Sequence, residues 1–141
     1  MSTNLKFIIV DDDPFNNRIC SMIIKGTLGE ADIQSFTLPE EALSFIQNEY
    51  SGMLVPVILF LDINMPTLTG WEFLEKYENF NENIKEKITI YILSSSIDQP
   101  DKDKADANKY IKEFISKPLN RDAIHSITEN KLLELRSANF K

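Results

Sequence analysis

Three apolar runs and one brief mixed run in this chain end in side chains that could do chemistry together. Val57-Ile58-Leu59-Phe60-Leu61 stops at Asp62, and Phe7 to Val10 stops at Asp11-Asp12-Asp13. Ile88 to Leu93 stops at Ser94-Ser95-Ser96, and the brief run Glu113 to Ser116 stops at Lys117-Pro118. A lone strand-end aspartate reads as an ordinary turn cap. A second acidic cluster placed the same way changes that reading. Two carboxylates about 4 Å apart repel by roughly 4 kcal/mol at an effective dielectric of ~20. Three such pairs, Asp11, Asp12 and Asp62, cost on the order of 12 kcal/mol, as much as many domains have in total stability. Protons or a cation must relieve that repulsion. Hard oxygen ligands with room for water suit Mg²⁺, with Mn²⁺ as a substitute.

The elements that must bring these groups together follow from patterning. Val57 to Leu61 is continuously apolar and rich in branched side chains, as for a strand buried on both faces, and Pro66 and Gly70 turn the chain after Asp62. After the first strand, Asp13 fits a helix N-cap and Pro14 the first helical position. Phe15, Ile19, Met22 and Ile23 then recur at helical spacing up to Gly26 or Gly29, and the neighbouring Asn16, Asn17 and Arg18 read as solvated surface. Ala31 to Phe36 is a weaker, edge-like strand. Thr37-Leu38-Pro39-Glu40 reads as a capping box opening a helix with Ala42, Leu43 and Ile46 on one face, and the buried strand follows Gly52. Thr69 and Glu72 form another capping box, before a helix burying Phe73, Tyr77 and Phe80.

Asn81 to Lys87 reads as a polar connection, and Asp98 to Lys109 as a highly charged segment holding a short, poorly packed helix. Asn120 caps a last helix carrying Ile124, Ile127 and leucines to about Leu135. Strand and helix alternate five times, the pattern of an α/β fold with a doubly wound parallel sheet. In such sheets ligands bind outside the carboxyl ends of the strands. If the strand order is 2-1-3-4-5, as in flavodoxin-like (βα)5 folds, the first and third strands are adjacent at the switch point, and Asp11, Asp12 and Asp62 converge there.

The chain of 141 residues suits a single domain, 1–141, with its core at about 5–135 and a short C-terminal tail. Its net charge of -7 argues against nucleic acid or an anionic membrane as a direct partner. No apolar run is long enough for a signal-peptide core or a membrane span, so a cytoplasmic protein is expected. Cys20, the single cysteine, excludes an internal disulfide and reads as a small buried residue. His125 stands alone, as a surface residue would.

Val10-Asp11-Asp12, the Asp62-x-x-Met65-Pro66-x-x-x-Gly70 run, Ser94 with small Ser95, and Lys117-Pro118 come in one order at successive element ends. In this the chain resembles the response-regulator receiver domains of two-component signalling, and the stand-alone, chemotaxis-regulator-like ones most. The resemblance implies that Asp62 is the phospho-acceptor. It implies that Asp11, Asp12, Asp62 and the backbone carbonyl of Asn64 hold Mg²⁺, and that Ser94, Ser95 and Lys117 bind the phosphoryl oxygens. It further implies a cis Lys117-Pro118 bond and a switch made by Ser94 and Phe114. Ser94 replaces a more frequent Thr, and Phe114 a frequent Tyr.

The implied partners are a sensor histidine kinase or His phosphotransfer domain, reached in relatives through the start of the first helix. A downstream protein is expected on the face made by the fourth main helix (within Asp98 to Lys109), the fifth strand and the last helix. The protein is expected to be a monomer or weak phosphorylation-dependent dimer, and no independent enzyme. Other readings fit less well. A phosphorelay shuttle uses the same groups. A flavin- or nucleotide-binding domain needs a phosphate-cradling loop where Asp11-Asp12-Asp13-Pro14 stands. An aspartate-based phosphatase carries a second acid where Asn64 stands, and a degenerate docking module would lack the full set of groups.

Overall fold

A computed structural model of the chain describes residues 5–49, 55–95 and 98–139; Gly52 and Ser96 lie outside them. In chain order the elements are β1 (Lys6–Val10), α1 (Pro14–Leu28), β2 (Asp32–Phe36), α2 (Pro39–Glu49), β3 (Val57–Leu61), α3 (Gly70–Glu78), α4 (Glu82–Lys85), β4 (Ile88–Ser94), α5 (Gln99–Ala107), β5 (Ile111–Ser116) and α6 (Arg121–Asn139). The strands form one parallel sheet in the order β2-β1-β3-β4-β5. The expected α/β class and strand order are both observed. Among the described residues, no helix is long and apolar enough to cross a membrane.

Strand alternation divides the core into two layers. Ile8, Val10, Leu59, Leu61, Ile90 and Ile92 face the side covered by α2 and α3, packing with Ala42, Ile46, Phe73 and Tyr77. Phe7, Ile9, Ile58, Phe60, Tyr91 and Leu93 face α1 and α6, packing with Cys20, Ile24, Ile124 and Ile127. Across three strands, Phe7 stacks on Phe60 at 6.5 Å and Phe60 meets Tyr91 in a tilted contact at 6.0 Å. Each such side chain removed from water contributes about 1.5–3 kcal/mol. β3 is buried throughout, whereas β2 is half exposed, as suits the edge.

Several local expectations hold. Asp13 caps α1, its carboxylate accepting from the Phe15 N–H at 2.9 Å, and Gly29 ends that helix with φ of 82°. Thr69 and Glu72 form the capping box of α3. Asn120 accepts from the Ala123 N–H at 2.9 Å at the start of α6. In α5 only Ala105 is buried.

Others need correction. α2 starts at Pro39, and the Leu38 carbonyl accepts from Glu41 and Ala42, so Thr37 does not cap it; Glu40 instead accepts from the Thr67 hydroxyl at 3.3 Å. Pro39 needs no N–H partner at the first position, which moves the start one residue on. Asn81 to Lys87 contains α4, capped by Asn81 and anchored by buried Ile84. The apolar recurrence in α1 marks the buried face only in part, through half-buried Ile19 and Ile23. Phe15 and Met22 are 66% and 64% exposed, and Asn17, Cys20 and Ile24 are buried. α6 runs on to Asn139, with Leu133 exposed and the polar Thr128 and Lys131 buried; Lys131 donates to the Thr89 hydroxyl at 2.9 Å.

Candidate functional site

The register delivers the acids. Val10 pairs with Leu61 across β1 and β3, so the next residues, Asp11 and Asp62, leave the sheet side by side. The Asp62 N–H donates to the Val10 carbonyl at 2.9 Å, fastening the two strand ends together. Asp11 and Asp62 are buried, 4% and 6% exposed, and Asp12 lies further out. One carboxylate oxygen from each of Asp11, Asp12 and Asp62 lies within 4.8 Å of the other two. Opposite ligands of Mg²⁺ at ~2.1 Å stand about 4.2 Å apart. The three acids therefore fit a small hard cation after a slight contraction, with water completing the shell. Asn64 is exposed and donates its N–H to Asp62 Oδ1 at 3.2 Å.

Lys117 follows β5, two strands away, and reaches into the same cluster. Its Nζ lies 2.7 Å from Asp11 Oδ2 and 3.7 Å from Asp62 Oδ2. The Lys117-Pro118 peptide is cis, as the resemblance implied, and the Lys117 N–H donates to the Ser94 carbonyl at 3.0 Å. By the Coulomb rule used for the acids, these contacts attract by roughly 6 and 4 kcal/mol. Much of the relief that the acids require is thus internal, which the sequence did not reveal.

The balance is incomplete at Asp62. Burial above all, then the charge of Asp11, raises its pKa from the ordinary 3.8 to about 6, against the lowering effect of the Asn64 N–H and Lys117. Burial disfavours the Lys117 ammonium, but its hydrogen bond and charge contacts with Asp11, then Asp62, outweigh this and hold its pKa above the usual lysine value. Cys20 lies behind the site; burial, then Asp11, pushes its thiol to about 12, so it is inert.

Ser94 ends β4, beside β3, and is fully buried; Ser95 is exposed. Leu61 pairs with Ile92, so Ser94 stands one residue beyond the level of Asp62. Ile92 in turn pairs with Phe114 of β5, which is half-buried. Ser94 and Ile92 share a sheet face by alternation, making Phe114 the diagonal neighbour of Ser94 on the next strand.

The loop after Asp62 is held by Gly70. A Cβ there would lie 2.7 Å from Ile63 Cα and 2.8 Å from the Asp62 carbonyl oxygen, both backbone atoms. Gly70→Ala is expected to destabilise the fold by about 1–3 kcal/mol, as overpacking does, and to weaken divalent-ion binding. Thermal unfolding with and without Mg²⁺ checks this; unchanged melting and ion response would contradict it.

Two residues that bear on the site escaped the sequence reading. Asn17, taken for surface, is buried and donates its side-chain N–H to the carbonyls of Asp11 at 3.0 Å and Phe36 at 3.3 Å. Its spacing with Cys20 and Ile24, three and seven residues on, was the available signal. Trp71, next to Gly70, donates Nε1–H to Asp101 of α5 at 3.2 Å, and Lys104 lies 5.6 Å from its ring centroid.

Residues 7–129 match the family model for the response regulator receiver domain. Among solved structures, the chain is similar to a two component response regulator from Cytophaga hutchinsonii. The identity is 32% over 94% of this chain and 99% of that one, with a TM-score of 0.84. It is also similar to a response regulator receiver protein from Dyadobacter fermentans, at 25% identity, 89% and 96% coverage and a TM-score of 0.81. A CheY-like receiver domain protein from Methanospirillum hungatei shares the fold at 20% identity, with 97% and 99% coverage and a TM-score of 0.74.

Proposed function

The chain belongs to the response regulator receiver family, and from that premise we propose that it is a cytoplasmic signalling switch phosphorylated on Asp62. The donor is a phosphohistidine of a sensor kinase or phosphotransfer domain. A carboxylate oxygen of Asp62 attacks phosphorus, the P–N bond breaks, and the donor imidazole leaves. Hydrolysis of the acyl phosphate resets the site. The observation that carries this reading is the convergence of Asp11, Asp12, Asp62 and Lys117 at three strand ends.

Asp11, Asp12 and Asp62, with the Asn64 carbonyl, would hold Mg²⁺, which when bound neutralises phosphoryl oxygens in transfer. Lys117 is the side chain of the site that changes partner. It pairs with Asp11 and is placed to turn its ammonium to the phosphoryl oxygens once the acids have another cation. Ser94 and Ser95 supply further donors. Positioning and charge neutralisation provide most of the rate in such transfers, so a weak carboxylate nucleophile suffices.

Signalling requires that the phosphoryl group move a second surface. A hydrogen bond from Ser94 to a charged phosphoryl is worth roughly 1.5–3 kcal/mol. A nearly complete two-state shift needs about 5.5 kcal/mol, so Lys117 must contribute the remainder. Space vacated by Ser94 is filled by Phe114. α5, with Ala105 as its one buried residue and Trp71 as a lateral contact, is the helix of more than one turn least held by apolar packing. The downstream partner therefore binds the α5, β5 and α6 face.

With Mg²⁺ and beryllofluoride, amide shifts or hydrogen exchange are expected to change across α5, β5 and α6 in the wild type. Ser94→Ala is expected to bind the phosphoryl mimic at Asp62 yet lose most of that distant change. Equal changes in both proteins, or changes confined to the neighbourhood of Asp62, would refute the coupling.

A further inference from the structure

We propose that Asn17 is a positioning residue for the cation, acting through the peptide that joins Asp11 to Asp12. This inference rests on the receiver reading of the acidic site. The carbonyl that Asn17 grips at 3.0 Å belongs to the Asp11-Asp12 peptide. Fixing that plane fixes ψ of Asp11 and φ of Asp12, and so the relative aim of two carboxylates of the cluster. The Asp11 carboxylate is held separately, by the Asp13 N–H at 3.0 Å and by Lys117. Among the described residues, the side chain that holds the joining peptide is Asn17.

The amide is well suited to this. Asn17 is 5% exposed, so its hydrogen bonds do not compete with bulk water. Its second acceptor is the Phe36 carbonyl, at 3.3 Å, which also takes the Asp11 N–H at 3.1 Å. Both acceptors are carbonyl oxygens, so the NH₂ group must face them; the flipped amide would set oxygen against oxygen. The backbone N–H of Asn17 donates to the Asp13 carbonyl at 3.2 Å, which sets the residue's backbone in the first turn of α1. One buried amide thus ties α1, the end of β1 and the end of edge strand β2 behind the acid loop.

The need for such a tie follows from charge. Three acids with ligand oxygens within 4.8 Å of one another push the loop open, and the Lys117 ammonium beside Asp11 and Asp62 offsets only part of that push. A loop held against that push keeps its ligands near binding geometry and loses less ordering entropy when the ion arrives. Groups that orient metal ligands without touching the metal typically change its affinity 10–100-fold when removed.

Asn17→Leu keeps the number and branching of side-chain heavy atoms and removes the donors. Ile24→Val, in the same helix and fully buried, serves as the control for plain loss of packing. Calorimetric titration of the purified chain is expected to show the Mg²⁺ dissociation constant raised by about tenfold or more in Asn17→Leu and unchanged in Ile24→Val. Phosphorylation of Asn17→Leu by acetyl phosphate is expected to be slow at low Mg²⁺ and near the wild-type rate at saturation. An affinity no weaker than that of Ile24→Val, or a rate that saturating Mg²⁺ does not restore, overturns the proposal. Should Asn17→Leu not fold, the side-chain NH₂ protons of Asn17 in the wild type decide. Slow exchange, with shifts moved by Mg²⁺, supports the proposal, and fast exchange overturns it. A wild-type chain that binds no Mg²⁺ at all refutes the receiver reading instead.

Discussion

In chelator at pH 7.5, Asp62→Asn is expected to melt about 10 °C above the wild-type chain, while accepting no phosphoryl group. The acid proposed as acceptor weakens the metal-free fold. Burial and the charge of Asp11 raise the Asp62 pKa from 3.8 to about 6. Between those two values the native state keeps a proton that the unfolded chain has released. Stability is therefore fullest below the unfolded value and is lost as pH rises through about 6. At pH above both values the loss is about 3 kcal/mol, which the neutral amide avoids. The mutant's advantage in chelator should accordingly shrink towards pH 4. Mg²⁺ should raise the wild-type melting temperature and leave Asp62→Asn nearly unmoved. A mutant that melts below the wild type at pH 7.5 in chelator, or that gains as much from Mg²⁺, would contradict this balance.

Lys117→Met is expected to fail in the opposite sense. Its ammonium is the cation within reach of both Asp11 and Asp62, and all three side chains are largely buried. Removing one partner of a buried pair leaves the other charge uncompensated, at a cost of about 3–5 kcal/mol. The raised Lys117 pKa keeps the ammonium charged to pH values above the ordinary lysine range, so the wild-type contribution persists through neutral pH. The mutant should regain stability as pH falls and Asp62 takes up a proton, and also as Mg²⁺ is added. Phosphorylation should remain about 10²–10³-fold slower even at saturating Mg²⁺, because a donor to the phosphoryl oxygens is gone. Chelator melting curves from pH 5 to 8 with rates of acetyl phosphate labelling check both halves. Wild-type labelling by the mutant would remove Lys117 from the chemistry.

What could be read from the sequence has a physical pattern. Apolar runs ending in Asp11, Asp62 and Ser94, and the brief strand ending at Lys117, marked where the strands stop, and parallel strands must stop on the same side of the sheet. The meeting of the acids was legible for that reason. Packing faces were less so. In α1 the large residues Phe15 and Met22 point outwards, and the buried face is made by Asn17, Cys20 and Ile24. Hydrophobic spacing misreads a face whose buried members are polar or small. α4 was missed because its four residues bury a single side chain, Ile84. The Lys117 contact with Asp11 spans 106 residues and depends on how a long side chain turns in the field of the acids, which no local pattern encodes.

The measurement that bears most directly on the central claim is intact-mass analysis after incubation with Mg²⁺ and acetyl phosphate. One added phosphoryl group is expected, dependent on Mg²⁺, lost in hydroxylamine or base, and mapped to Asp62. Labelling that survives hydroxylamine, proceeds in chelator, or persists in Asp62→Asn would contradict the assignment of Asp62 as the acceptor.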